Sequence, residues 1–296
     1  MLSIKNVSKK YSNNFIALSN ISLELESGII GLLGEKGAGK STLIKMIATV
    51  LKPSEGIITW NGKDIHKDGD EFRQSLGYLP QKFGVYPNLT TFEFLRYIAA
   101  LKGLNMKKAT NRINDLIDIL NLREVANRSI KSYFYDFYGI KQKIGIAQAL
   151  LNDPKILMID EQTIKLDINE RINFKNLINS LSKDKIIILA THIVSNVDSL
   201  VEKIVLMKKG KLICFCKKEE LLNSLYGNVW ECLLPESDIK KVKGKYITGN
   251  ITRRSERMLV KVISEIKPSQ NAIMVQPTLE DAYIYYTAGK RREYIE

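Results

Sequence analysis

Cysteine is scarce in this chain: three residues in 296, namely Cys214, Cys216 and Cys232. An odd and sparse count excludes a disulfide-built secreted scaffold. Cys214 and Cys216 are spaced C-x-C with no Cys/His cluster beside them, which is poor arithmetic for a zinc site and reads as ordinary reduced cysteine. Long apolar runs are missing too. A membrane span needs about 18–20 apolar residues, whereas the longest runs here, such as 186–190, are the length of a strand. No charged-then-apolar leader opens the sequence, because Lys5, Lys9 and Lys10 interrupt it, so the chain reads as cytosolic. Internal repeats, low-complexity tracts and heptads are absent, and histidine is limited to His66 and His192. There is no long basic arm, although 45 Lys+Arg stand against 32 Asp+Glu, a net charge of +13. From residue 211 onward lie 15 basic and 11 acidic residues, net +4, which leaves +9 on the first 210. Such a balance suits nucleic acid, anionic lipid or nucleotide polyphosphate, and its even spread weakens the first of these.

Apolar residues make up 45% of the chain, enough for a core, and the length fits one large domain or a domain with a smaller companion. Residues 21–25 alternate with period two and read as a strand, and 28–33 form a short buried strand that runs into a Gly-rich turn. A helix over 42–50 follows. Pro53-Ser54-Glu55-Gly56 is a turn before a strand at 57–60, and Asn61-Gly62 signals a hairpin. The stretch 91–120 is rich in helix, with Ile113, Leu116, Ile117 and Leu120 at helical spacing. Next come a helix over 140–151, a strand at 156–159, a helix over 169–181 and a strand at 186–190. Strands alternating with helices predict an α/β fold with a mainly parallel sheet. Beyond residue 217 the pattern changes to a short helix (217–225), strands at 230–234, 245–250 and 259–263, and a helix start at Thr278 with Asp281 three residues on. This reads as a small α+β appendage whose boundary falls within 212–228.

Gly34-Glu35-Lys36-Gly37-Ala38-Gly39-Lys40-Ser41 fits G-x-x-x-x-G-K-[ST]. Gly37 and Gly39 let the backbone wrap so that its N–H groups converge on phosphate oxygens. The helix behind aims its positive end at the same charge. Lys40 would reach the β- and γ-phosphates, and the Ser41 hydroxyl would hold Mg²⁺. The apolar strand 156–159 ends in Asp160 and Glu161, at the ligand edge of a parallel sheet. Asp160 is placed to hold Mg²⁺ and Glu161 to act as general base for a water attacking the γ-phosphate. His192 ends another apolar strand and would sense or orient the γ-phosphate.

These pieces, in this order, make the chain similar to the nucleotide-binding subunit of an ATP-binding cassette transporter. The resemblance covers the whole chain. It implies a P-loop NTPase cassette over residues 1–216, with a helical subdomain at about 88–150, and an accessory unit at 217–296. It implies ATP and Mg²⁺ as cofactors. Tyr11 matches the aromatic that the family stacks on adenine. Gly34, Glu35, Lys36, Gly37, Ala38, Gly39, Lys40, Ser41 and Thr42 match the Walker A loop. Tyr78-Leu79-Pro80-Gln81 resembles the Q-loop, so Gln81 would touch Mg²⁺ and relay nucleotide state to the membrane subunit. Asp160 and Glu161 resemble Walker B with its base, Leu166-Asp167 the D-loop, and His192 the switch histidine; Glu161, His192 and Lys40 would carry the catalysis. Thr191-His192-Ile193-Val194-Ser195 and Pro277-Thr278-Leu279-Glu280-Asp281-Ala282-Tyr283 look most like bacterial exporter subunits, which pair with a separate multi-span membrane protein.

The signature motif departs from the family. Where Leu-Ser-Gly-Gly-Gln stands in the family, this chain has Asp136-Phe137-Tyr138-Gly139-Ile140, and only Gly139 survives. Phe137 replaces the serine and Tyr138 the first glycine. Gln162 stands in place of a usual Pro, Lys165 of a frequent Gly, and Lys36 of an Asn. A homodimer would carry two damaged sites, so the resemblance favours a heterodimer with an intact second cassette over a homodimer, with one impaired site. The expected function is hydrolysis of Mg-ATP to energise export, with the chain peripheral on the inner face of the cell membrane and no nucleic-acid partner. The alternative is a cassette that binds ATP without effective hydrolysis and regulates or scaffolds.

Overall fold

The computed structural model describes residues 1–12, 14–133, 138–160 and 168–288. The chain opens with strands β1 (Leu2–Lys10), β2 (Ile16–Leu25) and β3 (Gly28–Leu33), helix α1 (Lys40–Ile47), strands β4 (Glu55–Trp60) and β5 (Lys63–Asp64), helix α2 (Gly69–Gln74) and strand β6 (Leu76–Leu79). Three helices follow, α3 (Thr91–Leu101), α4 (Met106–Ile119) and α5 (Tyr138–Leu150). Strand β7 (Ile156–Ile159), helix α6 (Ile168–Leu181) and strands β8 (Ile186–Thr191), β9 (Lys203–Lys208) and β10 (Lys211–Lys217) complete the first part. The C-terminal part holds α7 (Lys218–Asn223), β11 (Val229–Leu234), α8 (Ile239–Lys245), β12 (Ile247–Arg254), β13 (Arg257–Ile263), β14 (Ile273–Met274) and α9 (Leu279–Thr287).

Among the described residues three sheets result. The central one has order β10-β9-β3-β8-β7-β6, with β9, β3, β8, β7 and β6 parallel and β10 antiparallel at the edge. Every residue of β3, β7 and β8 is buried, as parallel strands covered on both faces require. Their period of two divides the core. Ile29, Leu33, Leu157, Ile187 and Leu189 face the cluster built with α3, α4 and α5. Ile30, Leu32, Met158, Ile186 and Ile188 face a second cluster, with α1 and the antiparallel sheet β2-β1-β4-β5. Each such side chain contributes about 1.5–3 kcal/mol by burial, so both layers hold the strand ends in place. The hairpin at Asn61-Gly62 forms: both residues have positive φ (49° and 84°) between β4 and β5, as a two-residue turn of type I′ demands.

The third sheet is antiparallel, with order β12-β13-β11-β14. Its β12–β13 hairpin sets Arg254 directly opposite Arg257 at the tip of the edge strand β12. Two expectations shift here. The helix expected over 42–50 spans Lys40–Ile47, because it starts straight after Gly39 and stops before Thr49, whose φ is 59°. The strand expected to start at 245 starts at Ile247, because α8 occupies Ile239–Lys245. Ile239, Val242 and Tyr246 recur at helical spacing and pack on Trp230, Cys232 and Val260.

Candidate nucleotide site

The loop 34–39 leaves β3 and enters α1. Gly37 and Gly39 hold φ of 82° and 100°, in the region that costs an L side chain energy. Glycine is doubly required at 39, since a Cβ there would sit 2.6 Å from Leu18 Cδ2 and 2.7 Å from the Ala17 carbonyl oxygen. The Lys40 ammonium folds under the loop and donates to the carbonyls of Gly34 (2.6 Å) and Glu35 (3.0 Å). Lys40 is buried; burial pushes its amine below the ordinary value, and the charge of Asp160 pulls it back up. Asp160, at the end of β7, is buried as well, and its N–H donates to the Leu79 carbonyl at 2.9 Å. Burial pushes its carboxyl up; the Ser41 hydroxyl, Lys40 and Lys45 draw it down. Ser41 Oγ lies 3.5 Å from Asp160 Oδ1. A hydroxyl and a buried carboxylate converging beside a lysine held only by carbonyls is a donor set that suits Mg²⁺ and phosphate together.

Above the loop opens a cleft of about 330 Å³, lined by Phe15, Ala17, residues 36–42 and Gln81. Lys36, Gly37, Ala38, Gly39, Lys40, Ser41, Thr42 and Gln81 thus share one cavity. Gly34 and Glu35 contribute carbonyls beneath it. Tyr11 is absent from the lining. It stacks on Phe15, with ring centroids 6.4 Å apart and planes at 22°, and Phe15 is the aromatic wall. Sequence reasoning missed Phe15; its signal was a second aromatic four residues after Tyr11, flanking β2.

His192 follows β8, and its turn is fixed by Thr191 Oγ1, which accepts from the Ile193 N–H at 2.9 Å. His192 does not line the cleft, yet it lies within electrostatic range of the loop: desolvation, then Lys36 and Lys40, hold its imidazole below the ordinary value. The Gln81 segment is tied to α5. Gln148 Nε2 donates to the Tyr78 carbonyl at 2.9 Å, and Phe83 packs on Gly145, where a Cβ would meet its Cζ at 2.6 Å. Asp136 and Phe137 lie outside the described residues, as do Glu161, Gln162, Lys165, Leu166 and Asp167. Gly139 is described: a Cβ there would stand 2.6 Å from Glu170 Oε2, whose carboxylate pairs with Lys143 at 2.8 Å.

The family described as ABC transporter matches residues 18–164. The ABC transporter ATP-binding protein NatA of Bacillus subtilis is 36% identical over 70% of this chain and 85% of its own length. The chain belongs to the ABC transporter ATP-binding cassettes. The molybdate/tungstate import ATP-binding protein WtpC of Methanocaldococcus jannaschii is 33% identical, over 75% of this chain and 72% of that protein. Among solved structures, a dimeric post-hydrolysis state of the cassette MJ0796, bound to ADP and Pi, aligns with a TM-score of 0.65 at 26% identity, covering 73% of this chain and 98% of that one. This cassette is therefore an ATP-binding, ABC-type ATPase subunit that energises transport. Its fold is the α/β cassette, with a mainly parallel sheet, a helical region and a C-terminal antiparallel sheet. Among the described residues no helix is long and apolar enough to cross a membrane.

Proposed function

We propose that this cassette hydrolyses Mg-ATP at the cleft above Lys40 to drive export through a separate multi-span membrane subunit, from the inner face of the cell membrane. The observation that carries the reading is the convergence of Lys40, Ser41 and Asp160 beneath the loop. In this reading Lys40 exchanges its two carbonyl partners for β- and γ-phosphate oxygens. Ser41, Asp160 and Gln81 would hold Mg²⁺, which supplies positive charge at those oxygens. Glu161 accepts the proton of the attacking water, and His192, kept neutral by burial and by two lysines, donates to or orients the γ-phosphate. Residues 1–216 form the catalytic unit and 217–296 an accessory unit. The runs 191–195 and 277–283 support export, while WtpC is named for import, so the direction is tested by cargo movement in inverted vesicles. Lys40→Ala tests the site itself. Removing the cation should cost about 2–5 kcal/mol of ATP affinity, read by titration with a fluorescent analogue, and equal affinity would refute the assignment.

Phe137 and Tyr138 at the signature favour a heterodimer in which the site facing this signature holds ATP and the site on this chain's own Walker residues turns over. They also motivate a second reading, a cassette that binds ATP without effective hydrolysis.

A further inference from the structure

Helix α9 of the C-terminal part packs beside the turn that follows His192 and comes within electrostatic range of the phosphate loop. Leu279 and Ala282, each 0% exposed, lie in the same core cluster as Val194 and Val197. Those valines bracket the turn that follows His192, and the hydrogen bond from the Ile193 N–H to Thr191 Oγ1 ties the residues on either side of the histidine to that turn. On the next position of the helix, Tyr283 is half-buried within electrostatic range of Glu35 in the phosphate loop. The other side of α9 is bolted to the C-terminal sheet. Asp281, 2% exposed, accepts from Lys261 Nζ of β13 at 2.9 Å and from the Thr278 N–H and hydroxyl at 2.9 and 2.6 Å. A buried carboxylate with a lysine from another element fixes register as well as contact.

We propose that α9 is a positioning element of the ATP site: the C-terminal sheet, acting through the Lys261–Asp281 pair and the Leu279/Ala282 face, sets where His192 stands beside the γ-phosphate. Hydrolysis, more than ATP binding, then depends on the C-terminal unit. This rests on the reading of the nucleotide site above.

The test uses the full chain with Lys261→Met, Lys261→Arg and Ala282→Val. The two histidines give two imidazole resonances, assigned with His66→Gln. Lys261→Met and Ala282→Val should move the His192 resonance and leave that of His66 in place. Both should lower kcat by about 10- to 100-fold, the scale of an ångström misplacement at a reacting centre, with KM for ATP unchanged, and Lys261→Arg should restore both readings. Should Lys261→Met fail to fold by circular dichroism, Ala282→Val decides. A His192 resonance that stays put in the folded variants overturns the proposal, as does a moved resonance with unchanged kcat. Absence of ATP-analogue binding by the unmodified chain sinks the nucleotide-site reading instead, and the resonance alone then decides whether α9 positions His192.

Discussion

Single side chains decide two measurable properties. Phe15 forms a wall of the cleft and Tyr11 stands behind it, so Phe15→Ala should weaken ATP binding by the worth of one base stack, about 1–3 kcal/mol. Tyr11→Ala should cost less, and titration of both variants with the same analogue compares them. The motif residues of the site were legible because their spacing is dictated by phosphate geometry. The aromatic wall was not, since two rings four residues apart are equivalent in sequence and only the packing of β1 against β2 chooses between them. Lys102 is the second case. It caps α3, donates to Asn152 Oδ1 at 2.7 Å, and burial pushes its amine down to about 8 from 10.5. Below pH 8 the lysine is charged in both folded and unfolded chains, and the folded state bears the desolvation cost. Between pH 8 and 10.5 the unfolded chain holds more protons, so stability at this site rises with pH. Lys102→Met should therefore stabilise at pH 7 by about 1–3 kcal/mol, less about 1 kcal/mol for the lost hydrogen bond. The gain should fade by pH 10 in thermal melts.

At the scale of elements, the strands buried on both faces were readable as short apolar runs, β3, β7 and β8, and α4 from the helical spacing of Ile113, Leu116 and Ile117. β9 and β10 were not: their short apolar runs, 204–207 and 212–216, carry no sign of their partners, and it is pairing of β9 with β3 and of β10 with β9 that assigns them. The aromatic stretch after Gln81 divides as its burial dictates. Phe94 is buried, Tyr86 is 53% exposed, and Phe83 is spent on α5. That last contact joins the Gln81 segment to the helix whose first turn holds Gly139. Gly145→Ala would place a Cβ 2.6 Å from Phe83 Cζ and 2.7 Å from Leu79 Cδ1, an overpacking that should destabilise by about 1–3 kcal/mol. Phe83→Leu in the same chain should recover part of the loss, seen as a coupling energy in urea denaturation.

For the whole molecule, the order of motifs carried the family and the cassette fold, while the seating of α9 against the His192 turn could not be read from sequence, because it depends on contacts across almost 90 residues. The altered signature belongs to this scale as well, since in the proposed function it serves a neighbouring cassette. The chain alone should turn over slowly, and Phe137→Ser with Tyr138→Gly should raise ATPase activity by about 10²–10³-fold, the worth of one recovered donor at the phosphoryl group. Brisk turnover by the unmodified chain would show that the signature is not limiting. The β12 edge carries a last consequence. Among the described residues no strand pairs with its outer side, and an open strand is a template on which another chain can lengthen the sheet. Arg254 facing Arg257 costs a little stability within one hairpin, but two copies brought edge to edge would stack these charges in rows. The repulsion that is a blemish in one molecule becomes, in a crowded suspension of many, the barrier against fibre growth.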